Sequence, residues 1–434
     1  MKNKILFISL AMVLALSVGL IGCGTEEPEV IPPQPTEVVI GISWSETGPN
    51  AAIHDAAGLP IVTLFEQRID AAGGILLKEY GATVKVPVNI ITYDDATDVS
   101  IMLENTSKLV TVDKVDFLWG ATGTAFITAQ AYAANTYNMV LMTLEGGATH
   151  LQDPGKLDAW PYVFVTLSFS DWNQLPVLAD LLADNTTCET AYIAYINDEH
   201  GLEYKETAEE EFARVGIDIV GTPFPMAVEF TEFATVIAAA NATGADLFCV
   251  FSYPFHVMPL TGTALGMGYN PPAMIFGPGA NFGFYAESFT AVTLGDLVEG
   301  VMCFAVANDD TGPAYAELYG DIEEIMEGYK GESGYYYLDY WGQPLYWAMT
   351  QMWQQAVEEV GYVSQNKLKD VLGSKTASDP FTTILGDTWY TMFGTGGGIL
   401  AHECHPGEIG QWQSGICEII GGNQTTADII YPKP

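Results

Sequence analysis

Positive charge is scarce in this chain. Its 434 residues carry 15 Lys and Arg against 54 Asp and Glu, a formal net charge of −39. Nucleic acid is excluded as a partner, because binding it requires cationic side chains to replace phosphate counterions. Docking of the protein body on an anionic lipid surface is excluded for the same reason. After the first twenty residues no apolar run approaches the roughly 20 residues that a spanning helix needs. A phosphate-binding loop of the P-loop type, a nucleophile elbow and an HExxH pair are all missing, so three common catalytic chemistries lack their motifs. Apolar residues are plentiful at 49%, with 12% aromatic, so large cores are affordable for a chain of two or three domains.

The N-terminus has a different character. Met1-Lys2-Asn3-Lys4 is a short positive segment, and Ile5–Leu20 is apolar apart from Ser9, Ser17 and Gly19. That pattern reads as a secretory signal rather than a membrane span. Leu20-Ile21-Gly22-Cys23 resembles the lipobox of prokaryotic lipoproteins. The resemblance implies that Cys23 is lipidated and becomes the new N-terminus, so residues 1–23 are a lipoprotein signal and the chain is extracytoplasmic and lipid-anchored to the cell membrane. Residues 24–36 are acidic and Pro-rich, unable to bury a core. As an extended tether they span roughly 40 Å.

From Val38 onward the pattern alternates. Strands are expected at Val38–Ser43, Val84–Tyr93, Val115–Trp119 and Met139–Thr143, with helices at Ala56–Ala72, Ser100–Thr111 and Ala125–Asn135 between them. A second series follows, with strands at Ala191–Ile196, Asp218–Gly221, Leu247–Ser252 and Ala273–Gly277. Helical spacing interleaves them at Tyr204–Val215, Phe233–Asn241 and Leu260–Met267, and returns at Gln343–Val360. Trp389–Ile420 reads as β-hairpins. Repeated βαβ units imply mostly parallel sheets covered on both faces, and two such series imply two lobes. In open α/β sheets ligands bind beyond the carboxyl ends of the strands, so the residues there matter most.

Several segments together resemble a known family. They are Ile40-Gly41 to Thr47-Gly48-Pro49, DAAGGI at Asp70–Ile75, YDDATD at Tyr93–Asp98, WGATGTA at Trp119–Ala125, the run Ala227–Phe248, GMGYNPP at Gly266–Pro272 and IGQWQSG at Ile409–Gly415. In number, order and spacing they resemble type I periplasmic solute-binding proteins of ABC importers, the leucine/isoleucine/valine-binding group. The resemblance implies an α/β fold of two Rossmann-like lobes joined by a three-crossing hinge. Lobe 1 is expected over 37–166 and 303–384, and lobe 2 over 167–302 and 385–434. The crossings are placed near Phe164–Leu167, Cys303–Val306 and Leu385–Trp389. It further implies capture of a small, carboxylate-bearing solute for ABC permease subunits, with no cofactor and no catalysis. A sensor of the same fold is the alternative.

Candidate ligand contacts follow. Thr122 and Thr124 lie where a strand opens into a helix, a place that favours an anion, although a plain helix cap has the same residues. Glu145, Ala148 and Thr149 follow the next strand, and Glu145 serves either a cationic or hydroxylated ligand or the solvated rim. Trp172, His200 and Tyr253 offer apolar faces with polar tips, for ligand or for lobe packing. His54 lies near the first strand–helix turn. Gly279 stands where amino-acid-binding members of the family carry a Glu for the ligand's ammonium. Cys404 and Cys417 are a candidate disulfide, and His402, Cys404 and His405 a candidate metal cluster for a surface enzyme.

Overall fold

A computed structural model describes residues 30–120, 122–143, 149–166, 170–289, 298–327, 338–405 and 407–434. Cys23, Glu145 and Ala148 lie outside them. Pro35–Pro434 form one compact unit. Among the described residues no helix is long and apolar enough to cross a membrane.

The first run of strands is β1 (Val38–Trp44), β2 (Val88–Asp94), β3 (Phe117–Trp119), β4 (Leu141–Thr143) and β5 (Val163–Val165). The second is β6 (Thr190–Ile196), β7 (Asp218–Ile219), β8 (Phe224–Met226), β9 (Leu247–Phe251), β10 (Ala273–Gly277) and β11 (Val301–Ala305). Four later strands are β12 (Tyr390–Met392), β13 (Gly398–Leu400), β14 (Glu408–Gln413) and β15 (Ile416–Gly421). They make two sheets. The first has the order β12-β13-β5-β4-β3-β1-β2, and the second β8-β6-β9-β10-β11-β14-β15 with β7 beside β6. Within each run the pairing is parallel; each late hairpin is antiparallel within itself, the first joining β5 in parallel and the second joining β11 antiparallel. Strands buried on both faces read as continuous apolar runs, as VFV of β5 and LFCVF of β9 do.

The helices that matter for the site are α1 (Leu59–Ala71), α2 (Thr124–Tyr137), α3 (Glu199–Val215), α4 (Pro254–Met267) and α5 (Gly342–Val360). Helix α5 returns to the first lobe and packs on α1. Its Trp353 is fully buried and meets Phe65, Phe117 and Trp119 edge-on at centroid distances of 5.6–5.8 Å, the geometry that aromatic quadrupoles favour. Helix α3 begins where Asp198 accepts a hydrogen bond from the Gly201 N–H at 3.0 Å, an N-cap. Gly201 is required there. A Cβ would lie 1.9 Å from the Ile196 carbonyl oxygen.

The chain leaves the first sheet after β5, leaves the second after β11, and crosses again between Leu400 and Glu408. This last crossing corrects the expected one at Leu385–Trp389. Strands β12 and β13 come after that point yet belong to the first sheet, because Gly398 and Ile399 pair with Phe164 and Val165 of β5. The segment expected to be wholly in lobe 2 is therefore divided.

The cysteine pairing is corrected as well. None of the five described cysteines is in a disulfide. Cys404 sits in the third crossing, where its Sγ is 3.4 Å from the Trp389 backbone N–H that donates to it. Cys417 lies on β15, and its Sγ is 3.6 Å from that of Cys303 on β11. The strand between them, β14, presents Gly410 at this level, and a Cβ there would come within 2.8–2.9 Å of both sulfurs.

Candidate functional site: the seam between two sheet edges

At the first sheet's carboxyl edge, β3 runs into Gly123, which holds φ of 98° and opens α2. Thr122 and Thr124 on either side are buried. The first turn of any helix leaves N–H groups without intrahelical partners, so this turn is an anion-accepting feature. A Cβ on Gly123 would lie 3.4 Å from Asn50 Nδ2 and 3.5 Å from the Tyr253 hydroxyl. Tyr253 follows β9 of the second sheet, so the two lobes meet over this turn.

Around it stand the other predicted contacts. Tyr253 stacks on His200 with centroids 4.8 Å apart and an interplanar angle of 22°. His200 is itself 4.6 Å from the Tyr204 ring. His54 meets Trp44 edge-on at 4.5 Å and its Nδ1 is 2.9 Å from Asp55 Oδ1. Thr149 donates to Asp171 Oδ1 at 2.8 Å, next to Trp172, which packs on the first lobe's core. Thr122, Thr124, Tyr253 and His200 thus share one locality, whereas Thr149 and Trp172 stand at another with Asp171.

A polar atom that is buried without a hydrogen bond is costly, by about 1–3 kcal/mol. Among the described residues such atoms include Asn50 Oδ1, Asp95 Oδ2, Thr124 Oγ1, Thr143 Oγ1 and His200 Nε2. All five residues lie at or just beyond the carboxyl ends of strands or in the turns beside them. Asn50, Asp95 and Thr143 were missed from sequence. Thr143 closes β4 rather than following it, so it lies one residue short of where strand-end contacts are expected. Burial holds the Asp95 carboxyl above its ordinary value, against the Ser45 hydroxyl and the Thr97 N–H that bond its other oxygen. Burial also pushes His200 down to about 4, against Glu203 and the Gly277 carbonyl, so its imidazole is neutral at physiological pH.

A second meeting point of the lobes lies at the rim of a groove lined by Thr149, His150, Asp171, Trp172, Glu199 and Glu203. His150 of the first lobe has Nε2 3.2 Å from Glu199 Oε2 and Nδ1 3.4 Å from Glu203 Oε2, both on α3 of the second. Thr128 on α2 places its Oγ1 2.8 Å from His150 Nε2 and 3.0 Å from Glu199 Oε2. Partial burial disfavours the charged imidazole, but the hydrogen bonds and charges of Glu199 and Glu203 outweigh it and hold the pKa up at about 9. The same pairing holds Glu199 below its ordinary value.

Gly279 is buried, and a side chain there would be strained and tightly packed. It holds φ of 132°, and a Cβ would lie 3.0 Å from Val257 Cβ and 3.2 Å from Pro254 Cα. Its N–H donates to Asn281 Oδ1 at 2.7 Å, and Asn281 donates in turn to buried Asp339 at 2.6 Å. A glutamate in place of Gly279 would meet that strain and crowd Val257. The metal cluster is also corrected. Cys404 turns to the Trp389 backbone, His405 Nδ1 lies 3.2 Å from Glu408, and His402 faces Trp172 at 6.5 Å. No group of three metal-ligating side chains occurs among the described residues.

Two α/β lobes whose strand ends meet over a seam of buried, unpartnered polar atoms define a two-lobed binding fold. The model of the family "Periplasmic binding protein" matches residues 37–398, and the chain belongs to that family. Solved structures share the fold at low identity. The leucine-binding protein LivK of Thermotoga maritima is 13% identical with a TM-score of 0.68, covering 88% of this chain and 97% of its own. The branched-chain amino acid transporter substrate-binding protein LivJ of Streptococcus pneumoniae, solved with isoleucine, is 15% identical with a TM-score of 0.69, covering 89% and 100%. A solute-binding protein of an ABC transporter from R. palustris, solved with benzoate, is 14% identical with a TM-score of 0.71, covering 90% and 98%.

Proposed function

We propose that this protein is an extracytoplasmic receptor that closes around a small, carboxylate-bearing solute and delivers it to an ABC importer. The observation that carries the proposal is the buried, unpartnered Thr124 hydroxyl at the open first turn of α2. Together these hydroxyl and backbone N–H groups offer donors to an anion. The proteins of this fold solved with isoleucine and with benzoate both hold a carboxylate, which supports the same class here. The reading includes no chemical step on the solute. Lipidation of Cys23 would tether the receptor near its permease and raise their effective concentration.

A thermal-shift screen of the full chain tests the proposal, using branched-chain and aromatic amino acids, amides, and aromatic and short carboxylates. A ligand at a hundredfold excess over its dissociation constant stabilises the folded state by about 2.7 kcal/mol. A carboxylate is expected to give the largest shift. A neutral solute as the strongest binder, with an affinity indifferent to the Thr122 and Thr124 hydroxyls, overturns the anion site.

A further inference from the structure

Beside the second crossing the lobes are tied a further way, by hydrogen bonds alone. The segment after β10 of the second sheet runs antiparallel to the segment that enters α5 of the first lobe. The Gly283 N–H donates to the Leu338 carbonyl at 2.8 Å, and the Tyr340 N–H to the Asn281 carbonyl at 3.2 Å. The Tyr340 carbonyl in turn accepts from the Val306 N–H at 2.8 Å, just beyond β11.

At the centre is Asp339, 1% exposed. Its carboxylate accepts from the N–H groups of Trp341 and Gly342, each at 2.9 Å, and so caps α5. Capping requires nothing more, yet the contacts continue to both sides. Towards the second lobe, Asn281 Nδ2 donates to Asp339 at 2.6 Å while Asn281 Oδ1 accepts the Gly279 N–H at 2.7 Å. Towards the first, Gln343 Oε1 accepts the Asp339 N–H at 3.1 Å while Gln343 Nε2 donates to the Ala56 carbonyl at 2.5 Å. Ala56 lies in the helical turn His54–Gly58 between β1 and α1. Each amide has its oxygen on an N–H and its nitrogen on an oxygen, so neither can be reversed without losing both bonds. Asn281 and Gln343 are buried with Asp339. In such surroundings a completed network is strong, and deleting one member strands the next.

We propose that Asn281, Asp339 and Gln343 form a latch that couples the second lobe's strand-end loop at Gly279 to the first lobe's turn at Ala56 and holds the lobes at their present angle. Cutting the latch at either amide lets the empty protein open further. The latch acts without a solute and is independent of which solute binds.

Hydrogen–deuterium exchange of the full chain in detergent, without solute, reads the latch at three places. They are the turn 54–58, the loop 279–283 and the seam at Gly123 and Tyr253. Asn281→Leu cuts the second-lobe side and Gln343→Met the first-lobe side. Each is expected to speed exchange about five- to tenfold at all three places, the effect of one buried hydrogen bond. The double variant is expected to be no faster than the faster single, because either cut already releases the coupling. Exchange that rises only beside the substituted residue, or a double variant as fast as the product of the two singles, overturns the latch and leaves Asp339 a helix cap. Should Asn281→Leu fail to fold, Asn281→Ser, too short to reach Asp339, takes its place, and Gln343→Met tests the latch from the other side.

Discussion

The two lobes meet in two chemically opposite ways. At the rim, His150 is matched on both ring nitrogens by Glu199 and Glu203, with Thr128 completing the set. At the seam over Gly123, Thr124 Oγ1, Asn50 Oδ1 and His200 Nε2 have no partners. The rim is complete without a solute, and the seam is not. On the receptor reading proposed above, a clasp of this kind would contribute to closure whether or not the cleft is filled, while the seam would reward closure only around a molecule that satisfies it.

That contrast can be broken from either side. The largest effect on the empty protein is expected from His150→Ala, which leaves Glu203, whose side chain is 4% exposed, without its cation. A loss of about 2–3 kcal/mol is expected, at the lower end for breaking a pair that is only partly buried. Calorimetric unfolding should show it as a lower Tm, and small-angle scattering as a more open empty form. A variant as stable and as compact as the parent would show that the rim is no clasp.

Thr122→Val with Thr124→Val should do the reverse. Loss of a hydroxyl that has no partner leaves the empty protein equally stable or slightly more so, while solute affinity falls about ten- to a hundredfold. A drop in Tm with unchanged affinity would reverse the assignment of the two regions.

The smallest effect concerns pH. His150 has a pKa raised to about 9 in the folded state, against about 6.5 in an unfolded chain. Its contribution is fully present below about 6.5 and is lost as pH rises through about 9. Groups facing it are Glu199, Glu203 and Asp171, with Lys156 near Glu199. Between pH 7 and 10 the difference in Tm between the parent and His150→Ala should shrink towards zero. A difference that stayed constant would remove the charge from the clasp.

Much of the frame was legible in the sequence because it is local. The alternation from Val38 to Thr143 marks strands and helices by period alone, and Thr122 and Thr124 stand out where one becomes the other. What stayed hidden depends on distant partners. The two late hairpins have the same Gly- and aromatic-rich composition, yet one pairs with β5 and the other with β11. Spacing suggested Cys404 with Cys417, but the sulfur beside Cys417 belongs to Cys303, 114 residues away. His150 looks unremarkable beside Thr149, since its glutamates lie about fifty residues on and reveal themselves only as an i, i+4 pair on α3. Gly279 departs from the family pattern in sequence alone, and the structure adds a positive φ and close approaches to Val257 and Pro254.

The division of the late hairpins has a consequence for how the molecule is made. Both sheets take edge strands from residues after Trp389, β12 and β13 in one, β14 and β15 in the other. Neither lobe is finished as a sheet until that last stretch has left the ribosome, however early β1 to β5 are available. Pairing β13 with β5 joins positions more than two hundred residues apart in sequence, and such long-range closure is slow. Neither lobe can therefore complete its sheet while the chain is still being synthesised.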